Sequence, residues 1–336
     1  MAPGRALRAP CPEPALASSE SELIERYFNG LGAARADVAL GIGDDAALVQ
    51  VPSGVELALT TDSLVAGVHF EAGAPARSLG HRALAINLSD IAAMGASPAW
   101  ALLSLNLPSA DDAWLQEFAH GFGALARRHA VALVGGNLSR GALAITVQLA
   151  GLVPRGQALR RDGAHSDEDL YVSGSVGDAA GGLACLRGQL SLPAEAARYL
   201  QQRFEYPEAR VALGLALRGV ASACIDVSDG LYTDAGRLLE AAGLGARIDI
   251  EALPISPALR AAHGPNAWRA ALAGGEDYEL CFTAPRAQAA SVVVAARAAG
   301  CAVTRIGTLA ERAGIALHSG KSLIQFSPSG FDHFRD

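Results

Sequence analysis

Lysine is almost missing from this 336-residue chain: Lys321 is the only one, and nearly all positive charge is arginine. A mechanism built on a catalytic or phosphate-gripping lysine therefore has one candidate. It sits in "GIALHSGKS", where five residues separate Gly314 from Gly320 and a phosphate-binding loop requires four. Only fourteen residues follow Ser322, too few for a nucleotide domain on that loop, so a surface turn is expected. There is no H-R-D or D-F-G set, which excludes a protein-kinase fold, and no G-x-S-x-G. The five cysteines, Cys11, Cys185, Cys224, Cys281 and Cys301, show no C-x-x-C spacing. That argues against a disulfide framework and a zinc site, and for free thiols in a reducing cytoplasm. No apolar run is long enough to span a membrane. The net charge of −7 leaves no basis for a nucleic-acid surface.

What is present is a well-packed composition, 51% hydrophobic and 18% charged, over a length that suits two domains. Residues 1–17 carry prolines where a signal peptide needs an apolar core, and are read as a disordered tail. Helices are expected in "SSESELIERYFNG", in "ARSLGHRALAINLSDIAAMG" from about Arg77, and in "DDAWLQEFAHGFGALARRHA". "GVELALTTDSL" reads as a strand ending in a polar turn; "WALLSLNLP", "VALVGGN" and "ALAITVQLAGLVP" read as further strands. After Pro154 the pattern restarts with "DLYVSGSVGDAAGGL", "ASACIDVSDGLYTDAGRLLEAAGLGARIDI", "YELCFTAP" and "RAQAASVVVAARAAG". The expected organisation is two α+β domains, 18–154 and 155–336, with mixed sheets rather than a βαβ repeat.

Aspartates recur at the ends of the apolar segments. "GIGDDAA" offers Asp44 and Asp45; "ALTTDSL" offers Thr60, Thr61 and Asp62; "INLSDIAAM" sets Asn87 and Asp90 three apart; "IDVSDGL" offers Asp226, Ser228 and Asp229; "AGGEDYEL" offers Glu276 and Asp277. Burying the Asp44–Asp45 pair would need a cation nearby. Singly, each aspartate reads as a helix cap or turn residue, Asp229 above all because it precedes "GLYTDAGRLLEAAG". Jointly they read as hard oxygen ligands suited to Mg²⁺ and a polyphosphate. The residues alone leave both readings open.

The ordered set "GIGDDAA", "TTDSLVAGVHF", "NLSDIAAMGASP", "VGGNLSRG", "RDGAHSDEDLYVSGSVGD", "DVSDGL" and "GGEDYELCFT" resembles the thiamine-monophosphate kinases, in the fold group of the aminoimidazole ribonucleotide synthetases. It extends from about residue 20 to "GFDHF". The resemblance implies a two-domain α+β fold, dimerisation through the N-terminal domain, and ATP- and Mg²⁺-dependent phosphorylation of thiamine monophosphate to thiamine diphosphate. It makes Asp44, Thr60, Thr61, Asp62, Asp90, Asp226 and Asp229 the implied Mg²⁺ ligands, some through water, with Asp45 as support or cap. Asn137 stands where many relatives carry aspartate, so it brings an amide oxygen without charge. Arg161 and Ser228 match nucleotide-binding positions; His69, Glu276 and Phe331 match substrate-binding positions. Other readings are another enzyme of the fold group, of aminoimidazole ribonucleotide synthetase or selenophosphate synthetase type, or a non-catalytic Mg-nucleotide-binding protein. No general base is expected, because the acceptor is an already ionised phosphate, and Glu276 is expected to complement the cationic thiazolium ring.

Overall fold

The computed structural model describes residues 19–71 and 73–327. Phe331 and Cys11 lie outside the described residues. The first half contains α1 (Glu20–Tyr27), the short pair β1 (Val38–Leu40) and β2 (Leu48–Val49), β3 (Val55–Val65), α2 (Ala76–Ala93), β4 (Ser97–Leu107), α3 (Asp112–Arg128), β5 (Ala132–Arg140) and β6 (Ala144–Pro154). The second contains β7 (Asp169–Ser173), α4 (Asp178–Leu186), α5 (Ala194–Glu205), α6 (Val211–Leu217), β8 (Ala223–Val227), α7 (Leu231–Ala242), β9 (Gly245–Asp249), α8 (Pro257–His263), α9 (Ala267–Ala273), β10 (Glu279–Ala284), α10 (Ala289–Ala298), β11 (Val303–Ala310), β12 (Gly314–Ser319) and β13 (Ser322–Ile324).

The helix ends follow their sequence signals. Ser19 and Glu22 close a capping box on α1. The Asp111 carboxylate accepts the Ala113 and Trp114 N–H groups at the start of α3, which ends on Arg127 and Arg128. Gly95, at φ +62°, follows the end of α2. Most of α2 is buried on every side, so it shows almost no amphipathic stripe. It crosses α3 with the backbones in contact: a Cβ on Gly80 would stand 2.1 Å from the Phe118 carbonyl oxygen, and one on Gly121 would stand 1.9 Å from that of Arg77. Only glycine fits at this crossing.

The first sheet has the order β3-β6-β4-β5, antiparallel except for the parallel β4–β5 pair. The second has the order β13-β12-β9-β11-β7-β10-β8, with β12 and β9 parallel. Strand alternation gives the second sheet two working faces. Ala223, Ile225 and Val227 of β8 pack with Leu231, Ala235 and Leu238 of α7. Cys224 points the other way, into a core shared with Leu84, Leu88 and Ile91 of α2. That core is continuous between the two halves, and α2 is its centre.

One expectation needs correction. β3 does not end in a polar turn at Thr60–Asp62 but continues to Val65, paired residue by residue with β6. Asp44 and Asp45 are both exposed in the loop between β1 and β2, where the pair carries no burial cost. The glycine–lysine stretch does form a turn, between β12 and β13.

Candidate active site

Three aspartates from three elements meet around the C-terminal half of α2. Because β3 remains a strand through its polar residues, Thr60 and Asp62 share its inner, half-buried face, while Thr61 is exposed on the opposite face. Asp90 of α2 accepts the Thr60 hydroxyl at 2.5 Å and lies against Asp62. The preceding residue, Ser89, donates to Asp226 Oδ2 at 2.8 Å. Asp226 is on β8, two residues after Cys224 and one before Val227, and so faces α2 by the same alternation. One helical turn thus joins a carboxylate of the first sheet to a carboxylate of the second.

No arginine or lysine pairs with these three among the described residues. Burial, and then the neighbouring Asp90 charge, push the Asp62 carboxyl up to about 7. Burial and the Asp90 charge push Asp226 up to about 8, although the Ser89 hydroxyl opposes this. The site therefore gathers carboxyl groups with no cationic side chain beside them among the described residues, and holds back their ionisation. No three Asp, Glu, His or Cys side chains are placed to hold one ion between them, among the described residues. Mg²⁺ does not require that: it commonly takes one or two carboxylates and fills its remaining positions with water and phosphate oxygens. The all-oxygen donor set fits such an ion.

Beside Asp226 runs Gly275–Tyr278. Glu276 and Tyr278 have φ of +70° and +53°, a region costly for residues with side chains. Neighbours hold them there. The Glu276 N–H donates to the Ser228 carbonyl at 2.7 Å, and the Tyr278 N–H to that of Val227 at 2.9 Å. The Asp277 carboxylate accepts the Gly177 and Ala179 N–H groups at the start of α4. This seats Glu276 next to "DVSDGL". Its carboxylate is ion-paired with Arg82 of α2.

The other expected residues are placed less centrally. Among the described residues Asp44 accepts its neighbour's N–H, from Asp45 at 2.8 Å, and no other. Asn137 is exposed on β5. Asp229 is not the cap of α7: Gly230 occupies that position without a side-chain bond, and Asp229 is paired with Arg237 at 2.5 Å. The Asp234 carboxylate instead accepts the Ser228 and Asp229 N–H groups. Arg161 is exposed on a short 3₁₀ turn packed near β8 and α7. His69 Nδ1 accepts the Val65 N–H at 3.1 Å. Arg82 belongs to no motif. The signal that could have found it is a charged residue inside the apolar run of a fully buried helix.

Residues 43–153 match the family described as AIR synthase related protein, N-terminal domain, and residues 167–320 match the corresponding C-terminal domain. The thiamine-monophosphate kinase of Salmonella typhimurium is 44% identical over 322 residues, spanning 95% of this chain and 99% of that protein. The chain belongs to the thiamine-monophosphate kinase family. The solved thiamine-monophosphate kinase of Stenotrophomonas maltophilia K279a superimposes with a TM-score of 0.81 at 44% identity, covering 86% of this chain and 93% of that one. The structure described as AaThiL complexed with AMPPCP and TMP is 34% identical with a TM-score of 0.75, covering 87% and 92%. Membership in the thiamine-monophosphate kinase family makes the chain a kinase with an AIR synthase-like α+β fold. It sets aside the synthetase and non-catalytic readings. No helix among the described residues is long and apolar enough to cross a membrane.

Proposed function

We propose that this chain transfers the γ-phosphoryl group of ATP to the phosphate of thiamine monophosphate, with Mg²⁺, giving thiamine diphosphate and ADP. The observation that carries this reading is the uncompensated trio Asp62, Asp90 and Asp226, gathered from both halves of the molecule. Donor and acceptor are both anionic, so the barrier is one of positioning and charge. Bound Mg²⁺ would neutralise and align the phosphate oxygens. Asp62, Asp90 and Asp226 would hold it, with Thr60 fixing the Asp90 carboxylate. Asp229 would first have to share its carboxylate with Arg237; Asp44, Thr61 and Asn137 would contribute from exposed positions. Arg161 and Ser228 are assigned to the nucleotide. His69 and Glu276 are assigned to the acceptor. Glu276 then meets the thiazolium charge as one member of an ion pair, not as a free carboxylate.

The acceptor phosphate needs no base, being largely ionised near neutral pH. The test is incubation of the purified chain with ATP, Mg²⁺ and thiamine monophosphate. Stoichiometric thiamine diphosphate and ADP are expected; folded protein that forms neither with Mg²⁺ or Mn²⁺ refutes the reading.

A homodimer is part of the same proposal. An antiparallel sheet with one free face usually keeps that face polar. Here Leu59, Leu57 and Leu102 are 74, 43 and 40% exposed on the outer face of the first sheet. A second copy laid on this face would bury them. Light scattering should give twice the chain mass for the wild type and a monomer for Leu59→Arg; a monomeric wild type sinks the dimer. The free thiols Cys224 and Cys281 and the ATP requirement support a cytoplasmic setting.

A further inference from the structure

Arg82 is buried to 2% exposure at the middle of α2, and its guanidinium is engaged on every side. Nε donates to Glu276 Oε2 at 3.2 Å, and Nη2 donates to the same oxygen. Nη1 donates to the His69 backbone carbonyl at 3.0 Å. The flat face lies 4.2 Å from the centre of the Phe204 ring on α5. A cation so deeply placed is costly unless its partners are fixed.

Its partners are informative. His69 follows β3 in the first half, and Glu276 precedes β10 in the second. Arg82 touches both. Each donor to the Glu276 carboxylate among the described residues reaches Oε2, Tyr278 included at 3.4 Å. Oε1 receives none of them, on a side chain that is 29% exposed. The arginine thus fixes one oxygen and leaves Oε1 without a donor among the described residues.

We propose that Arg82 is a positioning residue for the acceptor substrate, fixing the Glu276 carboxylate and the His69 loop relative to one another across the two halves of the site. This rests on the assignment of His69 and Glu276 to the acceptor. Lysine cannot replace the fork, since a point charge on a flexible stem cannot serve two acceptors and stack on a ring at once.

Steady-state kinetics on Arg82→Lys, with each substrate varied separately, test the role. KM for thiamine monophosphate should rise about tenfold, the scale of one lost charge-assisted hydrogen bond, while KM for ATP stays within about twofold. Arg82→Gln should raise it further; where that variant fails to fold, the lysine variant decides alone. In a Glu276→Gln background, Arg82→Lys should add little. Equal rises in both KM values, or a lower melting temperature with unchanged KM for thiamine monophosphate, overturn the positioning role. A wild type without turnover overturns the acceptor assignment instead.

Discussion

Two buried acid sites in this molecule are built in opposite ways. Glu279, fully buried on β10, accepts hydrogen bonds from Arg203 at 2.7 Å, from Arg210 at 2.6 and 2.7 Å, and from the Ser173 hydroxyl at 2.5 Å. Burial alone would raise its carboxyl, but the Arg210 hydrogen bonds, with the Arg210 and Arg203 charges, bring it below the usual range. Asp62, on β3, and Asp226, on the strand paired with β10, have no arginine partner among the described residues. The chain can evidently supply cations to a buried carboxylate. At Asp62 and Asp226 it does not, and on the function proposed above a bound cation would supply the missing charge.

Breaking the compensated site should produce the largest effect on stability. Glu279→Gln leaves two arginines, each only 14% exposed at the side chain, without their anion. Losing one partner of a buried pair typically costs about 3–5 kcal/mol. Urea unfolding should show that loss; a variant as stable as the wild type would mean that water already reaches this cluster.

Breaking the uncompensated site should do the reverse. Asp62→Asn removes charge that has no internal partner, so metal-free stability should hold or rise while turnover falls about 10³-fold, several kcal/mol of lost metal-assisted catalysis. The pH dependence follows. In the unfolded chain Asp62 and Asp226 ionise near 3.8; in the fold they do so near 7 and 8. Between those limits the native state holds more protons, so metal-free stability falls as pH rises. Saturating Mg²⁺ should cancel the fall and Asp62→Asn should reduce it. Thermal unfolding that is flat from about pH 5 to 8 without metal would deny the raised acids.

Much of this contrast was legible in the sequence, but not all. The motifs drew attention to Asp62, Asp90 and Asp226, which the fold brings together, and β8 and α2 follow directly from apolar runs. The grouping of Thr60, Thr61 and Asp62 failed on one point: a strand puts neighbours on opposite faces, and polar residues do not by themselves end a strand already paired along its length. Asp229 looked like a cap because it precedes a helix, but the left-handed-side φ of +110° at Gly230 and the pull of Arg237 take it elsewhere. Arg82 and the Glu279 clamp were invisible because their ion-pair partners lie more than 60 residues away. The two arginines of that clamp sit at helix ends, Arg203 in the last turn of α5 and Arg210 just before α6.

The smallest expected effect belongs to Asn137, proposed as a metal contact on the strand at the opposite edge of the first sheet from β3. Asn137 is exposed on β5, opposite Ser104 of β4. The preceding Gly136 sits so close to β4 that a Cβ there would stand 1.8 Å from the Leu103 carbonyl oxygen. The backbone at this point is therefore fixed, and Asn137→Asp should change charge without moving the strand. One added carboxylate near a cation in water is worth about 1 kcal/mol at contact distance, so the half-saturating Mg²⁺ concentration should drop by about fivefold with kcat nearly unchanged. High salt should shrink the shift, because the position is open to solvent. A Mg²⁺ titration that superimposes on that of the wild type would place Asn137 beyond reach of the metal. The uncompensated charge would then reside in the buried aspartates alone.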